Sequence, residues 1–408
     1  MTTTITYGKR ASCVLASSRV THVRPALDQS MPTAEVSTQV RAALARPINF
    51  PPLASCTVPG DRLVVAVEQG LPCWEQVLAG VLAALREAGV ETSRVTLLLP
   101  KTSALESALR DMVDSFHAGD VSLEIHDPDD DHQCSFIGVT RTGRPLRLNR
   151  RLCDADVVLP VGICSLPLQR EERYAEFNGL FPQFSDRETI NRFHAPIGMD
   201  STVLRRERCA QMDEAARMLG IGLTVQLVPS PRGGLAAILA GEPLAVVKAA
   251  STKYREIWSR NVDSRGNLVV ATLAGEAAEQ SWRNFGRALE AAERVLEPDG
   301  AIVVCSELAQ PPGPSLQRLM GNESCQASER EIMRDRFADS WPALLLCRAL
   351  QRGTIYLRSQ LPAEVVESLG VAPIQTDEEI KRLVKAHDRC VVLDDAARLL
   401  PTMIDPDA

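Results

Sequence analysis

The chain has 408 residues, 45% of them apolar and 24% charged, a length that suits two or three domains and a composition that excludes disorder. Its 45 Lys and Arg against 52 Asp and Glu leave a net charge of −7, so no surplus of cations exists to neutralise a nucleic-acid backbone, and a small molecule is the expected partner. The first residues lack the charged-then-apolar order of a secretory signal and no later stretch reaches the roughly 20 apolar residues of a membrane span, while the eleven cysteines contain no Cys-x-x-Cys pair; the expectation is a cytoplasmic protein with reduced thiols, without membrane contact, zinc site or disulfide framework.

From Arg62 onward short apolar runs alternate with segments of helical period, the pattern of a mainly parallel sheet covered by helices. Residues 62–67 read as a strand and 74–88 as a helix with Val77, Leu78, Val81, Leu82 and Leu85 on one face. A strand at 95–99 follows, then a helix opened by a capping box of Ser103 and Glu106, then a strand at 121–126. The alternation breaks at Thr142-Gly143, where 136–140 and 145–148 predict a hairpin. A strand at 157–161 contains Pro160, a residue expected at a strand end or edge. Residues 162–196 are irregular and punctuated by Gly and Pro, and such segments after a strand often carry binding residues. A helix at 202–219, a strand at 223–227 and a helix at 243–260 complete a first α/β domain over residues 1–262. The second, residues 263–408, has strands at 267–272, 301–305, 353–357 and 389–393 and helices at 281–296, 328–351 and 377–386. The fold class is therefore α/β, two domains with mainly parallel sheets and a cleft between them.

Several groups of residues have the makings of a site. Gln280 and Arg283 lie one helical turn apart near a helix N-terminus, where charge and dipole together suit a carboxylate, although a solvated helix face has the same spacing. Trp341, beside Leu344, Leu345 and Leu346, is either a wall of that site or core. The run from His126 to His132 holds metal-ligand types, but Pro128 and the crowded aspartates describe a solvated turn better. Arg141, Arg144, Arg147, Arg150 and Arg151 read as a basic surface face.

From about Asn49 to Leu400 the order of these elements resembles the nickel-dependent lactate racemase family. The resemblance rests on Leu63 to Pro72 (LVVAVEQGLP), where the family has a strand followed by Asp-His-Thr-Arg-Pro; on Asp156 to Gly162 (DVVLPVG); and on Leu180-Phe-Pro182 through Thr189-Ile190 to His194. Gln280, Trp341 within Asp339-Ser-Trp-Pro and the closing run from Val391 to Leu399 continue it. The family inverts the carbon of 2-hydroxy acids by hydride transfer through a nickel pincer nucleotide made from nicotinic acid. That cofactor is tethered by a lysine and ligated by a histidine, with two further histidines as acid and base.

Carried over position by position, the resemblance implies that His194 is the nickel-ligating histidine, that Glu68 replaces a cofactor-contacting aspartate, and that Gln280 contacts substrate. Other positions depart from the pattern. Asn178 stands in the place of the tethering lysine, and an amide cannot form that link. Leu71 stands in the place of a phosphate-binding arginine. Neither Pro100 to Ala104 nor Leu166 to Arg170 contains a catalytic histidine. The expectation is a lactate racemase-like protein degenerate in its nickel site, without the cofactor, that binds a small carboxylate or hydroxy acid. The alternatives are an active racemase or epimerase of a 2-hydroxy or sugar acid with a modified site, and new chemistry drawing on Lys101, Glu68 or Tyr174.

Overall fold

The computed structural model describes residues 2–16, 19–26, 30–101, 121–166, 179–196, 201–321 and 325–404. The expected helix after Ser103, Tyr174 and Asn178 lie outside the described residues.

The N-terminal half is organised on the strands β4 (Leu63–Val67), β5 (Val95–Pro100), β6 (Ser122–His126), β9 (Val157–Ile163), β10 (Thr224–Pro229) and β11 (Leu235–Gly241). They form one sheet in the order β11-β10-β9-β4-β5-β6, parallel except for the antiparallel pair β10 and β11. All five residues of β4 are buried, because helices cover both faces of a parallel sheet and a continuous apolar run is what two covered faces require. Leu63, Val65 and Val67 face α1 (Thr33–Ala45) and α2 (Trp74–Glu87), whereas Val64 and Ala66 face Leu148, Phe181, Phe184 and Ala215. The hairpin read at Thr142-Gly143 is β7 (Cys134–Val139) paired with β8 (Pro145–Asn149), followed by the single turn α3 (Arg150–Asp154). The irregular segment contains one helix, α4 (Arg187–His194), capped by the Asp186 side chain accepting from the Thr189 N–H; α5 (Thr202–Met218) follows, with Ser201 as its cap.

Pro160 is inside β9, which is a central strand rather than an edge. The position is tolerated because its carbonyl points toward β10, where it accepts from Thr224 Oγ1, and pairing with β10 begins only at Val161. Its missing N–H, on the same side as its carbonyl, thus removes no ladder bond.

The C-terminal half is built on β13 (Gly266–Thr272), β14 (Leu296–Cys305), β15 (Ile355–Arg358), β16 (Ala372–Ile374) and β17 (Cys390–Leu393). The sheet order is β16-β15-β14-β13-β17-β3, all parallel. Its last member, β3 (Val20–Val23), comes from the start of the chain, and the hairpin of β1 (Thr2–Tyr7) and β2 (Ala11–Ala16) puts Ile5, Tyr7 and Leu15 into the same core as Leu268, Val270 and Val392. Helices α6 (Pro243–Trp258) and α7 (Trp282–Val295) cover the other face. The linker strand β12 (Ser259–Val262) pairs with β18 (Leu400–Met403).

The single helix expected over 328–351 is two helices, α9 (Cys325–Ile332) and α10 (Ser340–Leu350), after the short α8 (Pro314–Gln317). The break has a polar cause. Asp335 accepts from Ser315 Oγ and pairs with Arg318, and Asp339 accepts from the Leu316 N–H, bonds that a continuous helix would not present to one neighbour. Two helices flanking β16 complete the fold: α12 (Asp377–Ala386), which the pattern predicts, and α11 (Ala363–Ser368), which it does not.

Candidate functional site

In the N-terminal sheet the chain runs outward from β4 through β5 and β6, then returns to the other side of β4 as β9. The switch point lies between the carboxyl ends of β4 and β9, the place where open α/β sheets leave a crevice for ligands. Glu68, the residue after β4, stands there and its Oε2 accepts the Ile163 N–H from the end of β9 at 2.6 Å. Gly179, at φ +83°, lies so close that a Cβ would meet Glu68 Cβ and Oε2 at 3.0 Å, which explains the glycine. Burial raises the Glu68 pKa, opposed by that N–H and by the Arg283 charge.

Arg283 reaches this point from the C-terminal half. It is the second residue of α7, where a cation opposes the helix dipole, and it makes no ion pair or hydrogen bond among the described residues. Its surroundings depress its pKa by desolvation, then by Arg287, although solvent reaches the side chain. One turn further along, Arg287 donates to Ser165 Oγ at 2.5 Å and to the Leu166 carbonyl at 3.1 Å, tying α7 to the segment after β9.

His194 ends α4 and is half-buried, with no hydrogen-bond partner among the described residues. Desolvation and then Arg283, Arg187 and Arg208 lower its pKa from 6.5 to about 4, so the imidazole is neutral at physiological pH. Arg283 therefore lies within electrostatic range of both Glu68 and His194.

The remaining sequence candidates lie differently. Gln280 is buried and saturated: its amide nitrogen donates to the Leu273 and Gly275 carbonyls, and its oxygen accepts from Ser306 Oγ and the Glu307 N–H. It braces the loops after β13 and β14 and has no bond left for a ligand. Trp341 is half-buried on the first turn of α10. Lys101 is engaged by Asp127 at 2.6 Å, and Asp129 and Asp131 pair with Arg187 and Arg147, so the acidic run after β6 is a turn neutralised by cations. His126 is buried, with Nδ1 accepting from the Asn149 amide, which leaves Nε2–H to donate to the Ser185 carbonyl. In the basic hairpin face, Arg141 pairs with Glu214 and Arg151 with Glu124. Among the described residues no group of three or more His, Cys, Asp and Glu is arranged to hold a metal, and no helix is long and apolar enough to cross a membrane. Sequence reasoning missed Arg287; its four-residue spacing from Arg283 on one helix face was the available signal.

Residues 7–200 match the family described as lactate racemase N-terminal domain. The lactate racemase apoprotein from Thermoanaerobacterium thermosaccharolyticum superposes with a TM-score of 0.77 over 98% of this chain and 100% of its own, at 16% identity. A Thermotoga maritima protein structure superposes with a TM-score of 0.65 over 93% of this chain and 100% of its own, at 12% identity. At such identities the likeness is one of fold. No curated protein sequence matches the chain.

Proposed function

From the premise that residues 7–200 are a lactate racemase N-terminal domain, in a chain that shares the racemase fold from end to end, we propose that the protein binds a small 2-hydroxy acid without nickel chemistry. The observation that carries the reading is the Arg283 guanidinium: a cation held at a helix N-terminus with no acceptor among the described residues, in electrostatic range of a neutral imidazole and a half-buried carboxyl. Arg283 takes the carboxylate bidentately, aided by the α7 dipole. The neutral His194 accepts the hydroxyl proton in a hydrogen bond, and Glu68, fixed by the Ile163 N–H, orients the far side of the ligand.

The nickel nucleotide that the family implies does not fit the residues present. His194 is one imidazole among three arginines, a field that repels a divalent cation. Leu71, where the family has an arginine, is 5% exposed and packed in the N-terminal core, so it offers phosphate nothing. Asn178 supplies an amide where the tether needs an amine.

Titration calorimetry with a panel of 2-hydroxy acids, lactate included, is expected to find a ligand whose affinity falls at least tenfold, about 1.4 kcal/mol, in Arg283→Gln. Protein made in cells able to synthesise the nickel nucleotide is expected to carry no stoichiometric nickel and not to racemise the ligand. Bound nickel with turnover would instead establish an active racemase or epimerase with a modified site.

A further inference from the structure

Two arginines at the end of α4 form no ion pair among the described residues. Arg192, in the last turn of α4, and Arg208, on α5, both lie against the Phe193 ring, their guanidinium carbons 5.8 and 5.6 Å from its centroid. Arg208 Nη2 donates to the carbonyls of Arg192 and Ala195 at 2.9 and 2.8 Å, capping the open C-terminal end of α4. Its Nη1 is buried without a hydrogen-bond partner, and so is Nη2 of Arg192. Neither side chain forms an ion pair among the described residues. Asp186 and Glu188 are within electrostatic range of Arg192, but Asp186 is engaged as the α4 cap, and the like charges Arg144 and Arg336 are in range as well.

Buried N–H groups in folded proteins find acceptors, and two adjacent guanidinium groups need negative charge between them or beside them. Among the described residues no carboxylate pairs with either guanidinium, and one N–H group of each is left without an acceptor. Two planar forks with free N–H bonds, backed by two further arginines, match a tetrahedral dianion better than a water molecule, which brings no charge.

We propose that Arg192 and Arg208 form an oxyanion subsite for a phosphate group, beside the Arg283 and His194 pair and built from different residues. Arg208 is near enough to His194 to act on its protonation, which places the two sites side by side. The phosphate is either free or carried by a ligand that spans both.

The test is thermal unfolding and calorimetry of the full chain with inorganic phosphate, at ionic strength held constant with chloride. Wild type is expected to gain melting temperature with phosphate and not with chloride. Arg192→Gln is expected to bind phosphate at least tenfold more weakly while melting no lower than wild type in phosphate-free buffer, because the Arg192 guanidinium makes no ion pair among the described residues and leaves a buried N–H without an acceptor. Arg208→Lys keeps a charge and loses the fork, and is expected to weaken phosphate similarly. Arg283→Gln is expected to leave inorganic phosphate binding unchanged, which separates this site from the carboxylate reading. With 3-phosphoglycerate, a phosphorylated 2-hydroxy acid, affinity above that of phosphate assigns a spanning ligand, and equal affinity assigns the free anion. Equal stabilisation by chloride and phosphate, or phosphate affinity unaltered in Arg192→Gln, overturns the proposal, as does a lower melting point of that variant without phosphate.

Discussion

His194 gives the site a pH signature of its own. Its folded pKa of about 4 lies below the ordinary 6.5, so between those values the unfolded chain binds more protons than the folded one. Stability then rises with pH across that window, and the contribution is complete above 6.5 and lost as pH falls toward 4. His194→Gln, which cannot take up the proton, is expected to lose less stability than wild type between pH 7 and pH 5 in urea unfolding. Equal losses would mean that the imidazole is not desolvated. The residue scale also shows what a motif position conveys. Glu68, Arg283 and His194 were all named from sequence, and Arg283 lies in electrostatic range of the other two; Glu68 follows a strand and Arg283 opens a helix that the pattern located, whereas His194 ends a helix in a segment read as irregular. Gln280 was named by the same reasoning, yet its amide is taken by the loops after β13 and β14. Residue type at a position does not say which carbonyl gets there first. Arg192 and Arg208 were not singled out at all, since their pairing depends on how α4 packs against α5 and not on any spacing along the chain.

Between elements, the C-terminal sheet is locked by a buried ion triad. Arg398, in the turn after β17, pairs with Asp395 at 2.9 Å and with Glu279 from the turn after β13, while its carbonyl accepts from Tyr254 on α6. The side chains of Arg398 and Glu279 are 15% exposed and that of Asp395 is 5% exposed, so solvent screens them little. Removing Arg398 leaves the desolvated carboxyls of Glu279 and Asp395 without their cation, and Arg398→Met is expected to cost about 3–5 kcal/mol in chemical denaturation. A cost near zero would show that water compensates the carboxylates. The elements themselves were legible where burial is uniform: the runs at β4, β9 and β13 are apolar because both sheet faces are covered. Legibility failed where tertiary bonds override pattern. The break between α9 and α10 comes from Asp335 and Asp339 bonding to α8, and β11, with the alanine-rich sequence LAAILAG, is a strand because β10 pairs with it rather than because of its propensity.

At the scale of the whole molecule, the chain order conceals where its first residues go. A division near Val262 falls between β12 and β13, yet β3 pairs with the C-terminal sheet and β1 and β2 pack on it. No local pattern tells a four-residue strand such as β3 which sheet to join, and that choice is made by the open edge of β17 and the uncovered face beneath β1 and β2. Ile5 and Leu15 are fully buried and Tyr7 nearly so, its hydroxyl donating to Asp377 at 3.1 Å. At about 1.5–3 kcal/mol for each large apolar side chain, these three contribute on the order of 5–9 kcal/mol. That is comparable with the roughly 5–15 kcal/mol that separates folded from unfolded states of a typical domain. Deleting residues 2–23 is therefore expected to unfold the C-terminal sheet while β4, β5 and β9, which share no core with the deleted strands, keep their protection. Hydrogen exchange read by mass spectrometry checks this directly, through loss of protection in β13, β17 and α12 against retention in β4 and β9. Unchanged protection of β17 and α12 would show that the hairpin is an appendage. Loss throughout would show instead that Arg287 and its bonds to Ser165 and Leu166 couple the two sheets into one cooperative unit.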